Sequence, residues 1–252
     1  MTKRLKVAEL FLAAGLVAGL AACSGAETVD TDTPDIAAEV EGGEGGEGGE
    51  GGEGGEGSAY SAGEQANADF VDQLSGGELL SALQEGGHVI YFRHAQTEKD
   101  YADQADPSLN LNDCETQRKL NDVGIGQSEA IGAAFADKAI PVGDIITSEY
   151  CRAWKTADIA FGTHEKNAKL NFLPFEDYTD AQVEEMKDNV TPLLTAVPAD
   201  GTNTVIIGHD DIFESATGIY PDPQGIAYVL TPDGSGGFEL QANVLPEEWA
   251  EL

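Results

Sequence analysis

The chain is poor in positive charge. It has 13 Lys and Arg against 46 Asp and Glu in 252 residues, a formal net charge of -33 at pH 7. That balance excludes a nucleic-acid partner, because phosphate backbones recruit basic patches. It also predicts repulsion from anionic membrane surfaces. Cysteine is scarce, with three residues, and histidine numbers four. No close His/Cys/Asp/Glu spacing of the zinc kind occurs, so neither a metal nor another cofactor is expected. Apolar runs are short. The longest, Leu10 to Ala22, falls below the roughly 20 residues that a membrane-crossing helix needs.

That run follows Lys3, Arg4 and Lys6, and so reads as the apolar centre of a secretory signal over residues 1–22. Leu20-Ala21-Ala22-Cys23 resembles the lipobox of bacterial lipoproteins. The resemblance implies that Cys23 is lipidated, becomes the first mature residue and tethers the protein to the cell envelope without spanning a membrane. Ser24 is not the aspartate that retains many such lipoproteins in the inner membrane. The periplasmic side of an outer membrane is therefore favoured, if the host has one. Residues 1–22 carry a net charge of +2, so their removal would deepen -33 to -35.

Residues 23–65 are acidic and hold few core formers. From 41 to 57 they run as a strict Glu-Gly-Gly repeat, with Glu at 41, 44, 47, 50, 53 and 56. Glycine in two of every three places and no proline exclude a collagen helix. Flexible glycine and mutually repelling carboxylates predict an extended, solvated tether. The remainder, residues 66–252, is one domain long enough to bury a core.

Within it, Phe70, Val71, Leu74, Leu79, Leu80 and Leu83 suggest two short helices broken at Gly76-Gly77. HVIYFR (88–93) reads as a buried strand. A polar stretch, 95–119, has the length of a functional loop. Further elements follow: a helix at 121–138 with Ile125, Ile131 and Phe135 inward, a strand at 144–148 and a helix at 150–161. After these come a strand at 170–175, a helix at 179–196 meeting Pro192, and a strand at 202–209. Two terminal strands joined by a Gly-rich turn form a candidate antiparallel edge. Alternating strands and helices predict a three-layer α/β/α sandwich around a mostly parallel, mixed sheet.

Parallel sheets place ligands at the carboxyl ends of their strands. Three such ends carry matching chemistry: Arg93-His94, Ser148 through Arg152, and Gly208-His209-Asp210. A transferring phosphoryl group spreads negative charge over its equatorial oxygens, so it calls for positive charge and hydrogen-bond donors. Arginine supplies a planar, permanently charged fork. A neutral imidazole can attack phosphorus and divide the reaction into two steps.

In this order the segments resemble the histidine phosphatase superfamily, which includes cofactor-dependent phosphoglycerate mutases and histidine acid phosphatases. Arg93-His94-Ala95 stands where that family has Arg-His-Gly. Leu120-Asn121-Asp122-Val123-Gly124-Ile125-Gly126-Gln127 matches its Leu-Asn/Thr-x-x-Gly-x-x-Gln motif. Ser148 to Ala157 matches Ser-x-x-x-Arg-Ala-x-x-Thr-Ala, and Gly208-His209 the late Gly/Ser-His. The likeness covers about residues 87–216 and implies a phosphoglycerate mutase-like fold.

It also implies roles. His94 is the nucleophile, Arg93 and Arg152 bind the phosphoryl group, and His209 donates a hydrogen bond to it. Ala95 replaces a glycine, which a backbone with negative φ tolerates. Asp210 is the preferred general acid, with Glu176 or Asp177 as alternatives. Asp210 or Asp211 otherwise caps the following helix. Arg118 is either a substrate contact or a surface arginine. His88 and His164 are given no role. Cys114 and Cys151 either bridge in an oxidising compartment, clamping the loop beside the phosphate pocket, or remain separate thiols. The expected activity is hydrolysis of small or envelope-linked phosphate monoesters. The alternatives are a non-catalytic phosphate-binding lipoprotein and a mutase-type phosphotransferase.

Overall fold

The computed structural model describes residues 60–98, 109–173 and 178–252. The signal segment, Cys23, the Glu-Gly-Gly repeat, Glu176 and Asp177 lie outside the described residues. Six strands form one sheet: β1 (Val89–Arg93), β2 (Val142–Thr147), β3 (Glu165–Lys166), β4 (Asn203–Gly208), β5 (Ala227–Pro232) and β6 (Phe238–Val244). Their order is β3-β2-β4-β1-β5-β6. The first four are parallel, and β5 and β6 run antiparallel at one side. The α-helices are α1 (Ala62–Ala68), α2 (Gly76–Glu85), α3 (Asp122–Asp137), α4 (Cys151–Phe161), α5 (Asp180–Leu194) and α6 (Asp210–Thr217).

Strand alternation builds the two cores. Ile90 and Phe92 of β1 and Val205 and Ile207 of β4 face α2, α3, α4 and the C-terminal Trp249. Val89, Tyr91 and Ile206 face α5 and α6. Both faces are covered, so β1 and β4 are buried throughout and read as continuous apolar runs. This is the α/β/α sandwich with a mixed sheet that the sequence predicts.

Several elements differ from the sequence reading. Ser61 caps α1 with a reciprocal capping box to Glu64, so the helix begins at Ala62, four residues before position 66. The break between the first helices falls after Asp69, and Gly76 opens α2 at φ +51° instead of interrupting a helix. Val71 thus lies in the connector and is exposed, as is Ile125 on α3. No strand forms over 170–173. Residues Ala168–Leu170 make a 3₁₀ turn, and the outer edge of β2 is already paired with β3. Leu170 and Phe172 instead bury their side chains in the core, and Asn171 exchanges hydrogen bonds with Glu149. Pro192 lies inside α5. Among the described residues, no helix is long and apolar enough to cross a membrane.

Candidate active site

The carboxyl ends of β2, β4 and β1 are neighbours in the sheet, so the residues following them converge. His94 follows β1, His209 follows β4, and Ser148 follows β2 and leads into α4, which carries Arg152 in its first turn. All four side chains are buried.

The loop after β1 is held at almost every backbone group. The His94 N–H donates to the Gly208 carbonyl, and the Gly225 N–H donates to the His94 carbonyl. The Ala95 N–H donates to Thr156 Oγ1, and the Gln96 N–H to Gln127 Oε1. The Thr97 N–H donates to Gln224 Oε1 at 2.8 Å, and Asn121 Nδ2 donates to the Thr97 carbonyl. A β-carbon on Gly124 would collide with the Gln96 carbonyl, which is why the helix can pack onto this loop. Ala95 is not among the described positive-φ residues, so its methyl group is accommodated.

The His94 ring is oriented by a bond that fixes its tautomer. Nδ1 lies 2.9 Å from the Ala95 carbonyl, which can only accept, so Nδ1 carries the hydrogen. Nε2 is left with its lone pair, towards which Arg152 Nε–H points at 3.2 Å. Burial, then the charges of Arg152 and Arg93, holds the imidazole pKa well below its usual value. The ring is therefore neutral at physiological pH, the state a nucleophile requires.

His209 lies beside it, the ring centroids 5.4 Å apart. Burial, Arg152 and His94 likewise keep it neutral. Its Nε2 is 2.7 Å from Ser148 Oγ. Its backbone is pinned by Tyr91, whose hydroxyl donates to the His209 carbonyl at 2.7 Å and accepts from its N–H at 2.9 Å. A β-carbon on Gly208 would strike that hydroxyl. The Arg152 guanidinium lies over the Tyr150 and Phe172 rings at 4.9 and 5.3 Å.

Arg93 is committed differently. Nη1 donates to the Pro221 carbonyl and to Asp222, each at 2.9 Å, and Nη2 meets Asp210 and the Tyr220 hydroxyl. Its Nε–H is buried and has no partner among the described residues. An orphan buried donor on a guanidinium is rare and marks a place for an anion oxygen.

Asp210 sits under opposing influences. Burial alone would raise its carboxyl, but Arg93, His94 and the Tyr220 hydroxyl outweigh burial and hold it at about 2. In this state the carboxylate is ionised and bonded to Arg93. Asp211 is the reverse case. Burial and the adjacent Asp210 charge push it up to about 7, against the bond from Tyr178.

Arg118 belongs to the site, since its charge bears on both His94 and His209. Its loop is latched to α4 in two places. Cys114 and Cys151 form a disulfide with Cα atoms 5.7 Å apart. The buried Gln117 accepts from the Cys151 N–H and donates to the Asn110 carbonyl.

The structure thus brings His94, Arg93, Arg152, His209, Asp210 and Arg118 together and joins Cys114 to Cys151. Glu176 and Cys23 lie outside the described residues. Sequence reasoning missed Tyr91, Gln117, Tyr220, Asp222 and Gln224. Only Tyr91 left a signal: a polar handle within an otherwise apolar buried strand needs a partner. Among the described residues, no group of three or more His, Cys, Asp or Glu is placed to hold a metal ion.

The family model "Histidine phosphatase superfamily (branch 1)" matches residues 89–208. The protein histidine phosphatase SixA, solved with tungstate, is 15% identical, with 64% of this chain and 98% of that chain covered and a TM-score of 0.46. A mutant phosphoserine phosphatase from Entamoeba histolytica, in complex with phosphoserine, is 13% identical over 62% of this chain and 95% of that one, TM-score 0.46. The product of open reading frame Rv3214 from Mycobacterium tuberculosis is 14% identical over 63% and 97%, TM-score 0.46. No curated protein sequence matches the chain. Its four motifs are gathered at one sheet edge, and over residues 89–208, which contain all of them but His209, the chain matches the histidine phosphatase superfamily model.

Proposed function

We propose that the domain hydrolyses phosphate monoesters through a phosphohistidine on His94. The observation that carries this reading is the unprotonated Nε2 of a buried, neutral His94, whose lone pair accepts from Arg152 Nε–H at 3.2 Å in the empty site and is released for attack when that guanidinium turns to the phosphoryl oxygens, with a second histidine ring beside it. Nε2 attacks phosphorus, a P–N bond forms and the ester P–O bond breaks, and the departing oxygen takes a proton from solvent. Water then attacks phosphorus, the P–N bond breaks, and inorganic phosphate leaves with the imidazole restored. Arg152 and the Nε–H of Arg93 hold the equatorial oxygens, and His209 supports the charge that develops on them. Asp210 anchors Arg93, and Arg118 contacts the substrate beyond its phosphoryl group. The enzyme acts from the cell envelope, held by a lipid on Cys23 through the acidic tether, on small or envelope-linked phosphoesters.

The test is release of p-nitrophenol from p-nitrophenyl phosphate by the full chain, with chelator present, between about pH 4 and about pH 8. Turnover that is lost in His94→Ala supports the reading. Folded protein that binds inorganic phosphate but never turns over would replace it with a phosphate-binding lipoprotein.

A further inference from the structure

Two segments that lie outside the family match at 89–208 reach into this machinery: α1 and residues 220–226. We propose that Tyr220–Gly225 is a positioning clamp for Arg93 and the nucleophile loop, and that α1 braces the clamp through Asn67.

The clamp touches both parts of the site. The Pro221 carbonyl and the Asp222 carboxylate take Nη1 of Arg93, and Tyr220 shares Asp210 with Nη2. The edge of Arg93 that remains is its Nε–H, which has no partner among the described residues. Three residues further on, Gln224 Oε1 accepts both the N–H and the hydroxyl of Thr97, and the Gly225 N–H holds the His94 carbonyl. A shift of this one segment would move the anion-binding arginine and the nucleophile loop together.

The segment cannot hold itself in place. Pro221 and Pro223 have no N–H to give a ladder. Its support comes from α1. The Tyr220 N–H donates to the Gly63 carbonyl at 3.1 Å, and Asn67 Nδ2 donates to the Asp222 carbonyl at 2.9 Å. The other end of the same amide, Oδ1, accepts from the Tyr228 hydroxyl on β5 at 2.6 Å. A β-carbon on Gly63 would collide with Glu214, so α1 sits tightly against α6 and the clamp. Asn67 is thus a positioning residue. Its donor end serves the clamp and its acceptor end serves the sheet.

Those two ends can be separated in the full chain. Asn67→Asp keeps the acceptor for Tyr228 and loses the donor for Asp222. Tyr228→Phe does the opposite. Asn67→Asp is expected to lower kcat on p-nitrophenyl phosphate about tenfold or more and to shift the NMR resonance of the Arg93 Nε–H. Tyr228→Phe is expected to lower Tm while leaving both readouts near wild type. Folded Asn67→Asp with wild-type kcat and an unmoved Arg93 resonance overturns the proposal. Should that variant not fold, Gln224→Ala reads the other end of the clamp. Slowed turnover is expected, and unchanged turnover overturns the proposal. The kinetic arm rests on the phosphatase reading. If the wild-type protein does not turn over, that reading fails, and the Arg93 resonance alone decides the clamp.

Discussion

Arg93 and Asp210 form a short ion pair at 2.5 Å, with side chains 7% and 18% exposed, and the pair fixes the chemistry of both partners. A carboxylate bound this way is an anion, and an arginine bound this way has only one edge left to offer. The two residues are 117 apart in the chain and meet because β1 and β4 are parallel neighbours.

The first prediction concerns Asp210→Asn. An anchor lost this way should slow p-nitrophenyl phosphate and an alkyl phosphate by similar factors, because Arg93 is misplaced for both. A general acid would show otherwise. The alkyl substrate, whose leaving oxygen needs a proton, would lose far more than the nitrophenyl one. Comparing kcat/KM of the two substrates in one variant separates the roles.

Tyr91→Phe removes a hydroxyl that serves the carbonyl and the N–H of His209 at once. Two buried backbone groups lose their partner, so the variant should unfold about 1–3 kcal/mol more easily in urea. It should also slow turnover, because His209 is held by that hydroxyl. Wild-type stability would contradict the geometry.

Cys114→Ser opens a loop closed over a sequence separation of 37. Loop-closure entropy predicts a loss of about 2–4 kcal/mol. The same change should raise KM, because Arg118 lies four residues after Cys114, in the segment that the disulfide latches to α4. Mass spectrometry of unreduced peptides checks the bond itself. Two free thiols in protein purified without reductant would refute it.

Asp211 makes a prediction with a definite sign. Its folded pKa, about 7, lies above the ordinary 3.8. The folded state thus keeps a proton that the unfolded state gives up, and the associated stability is complete below the unfolded pKa and lost as pH rises through about 7. Asp210, Glu214, Arg93 and Tyr178 surround this carboxyl. Tm should therefore fall between about pH 4 and about pH 7 in the wild type and level off above, and fall less in Asp211→Asn. Parallel Tm profiles for the two proteins would contradict this.

Much of this arrangement is legible in the sequence. Continuous apolar runs mark β1 and β4 because both faces of those strands are covered. The motif residues mark the site because each follows a strand or opens a helix. What escapes the sequence is set by partners far along the chain. Gln224 looks like any loop glutamine until Thr97 is found beside it, and Asn67 looks like a surface helix residue until Asp222 and Tyr228 are seen at its two ends. That no strand forms over 170–173 has a related cause. Leu170 and Phe172 alternate as strand residues do, but Phe172 is buried by packing against Tyr150 and His209 and Leu170 by its place in the same core cluster, with no ladder alongside. Asp210 could be read as an acid from its place after His209. Arg93 and Tyr220 make it an anion.

The central claim is that phosphorus becomes bonded to His94. It is tested most directly by mixing full-length protein with p-nitrophenyl phosphate, quenching in alkali, where phosphohistidine survives, and mapping the modified peptide by mass spectrometry. A phosphoryl group on His94, absent from His94→Ala and accumulating in His209→Ala, is the result predicted here. Steady turnover with His94 unmodified at every quench time would contradict the account and point to direct attack by water.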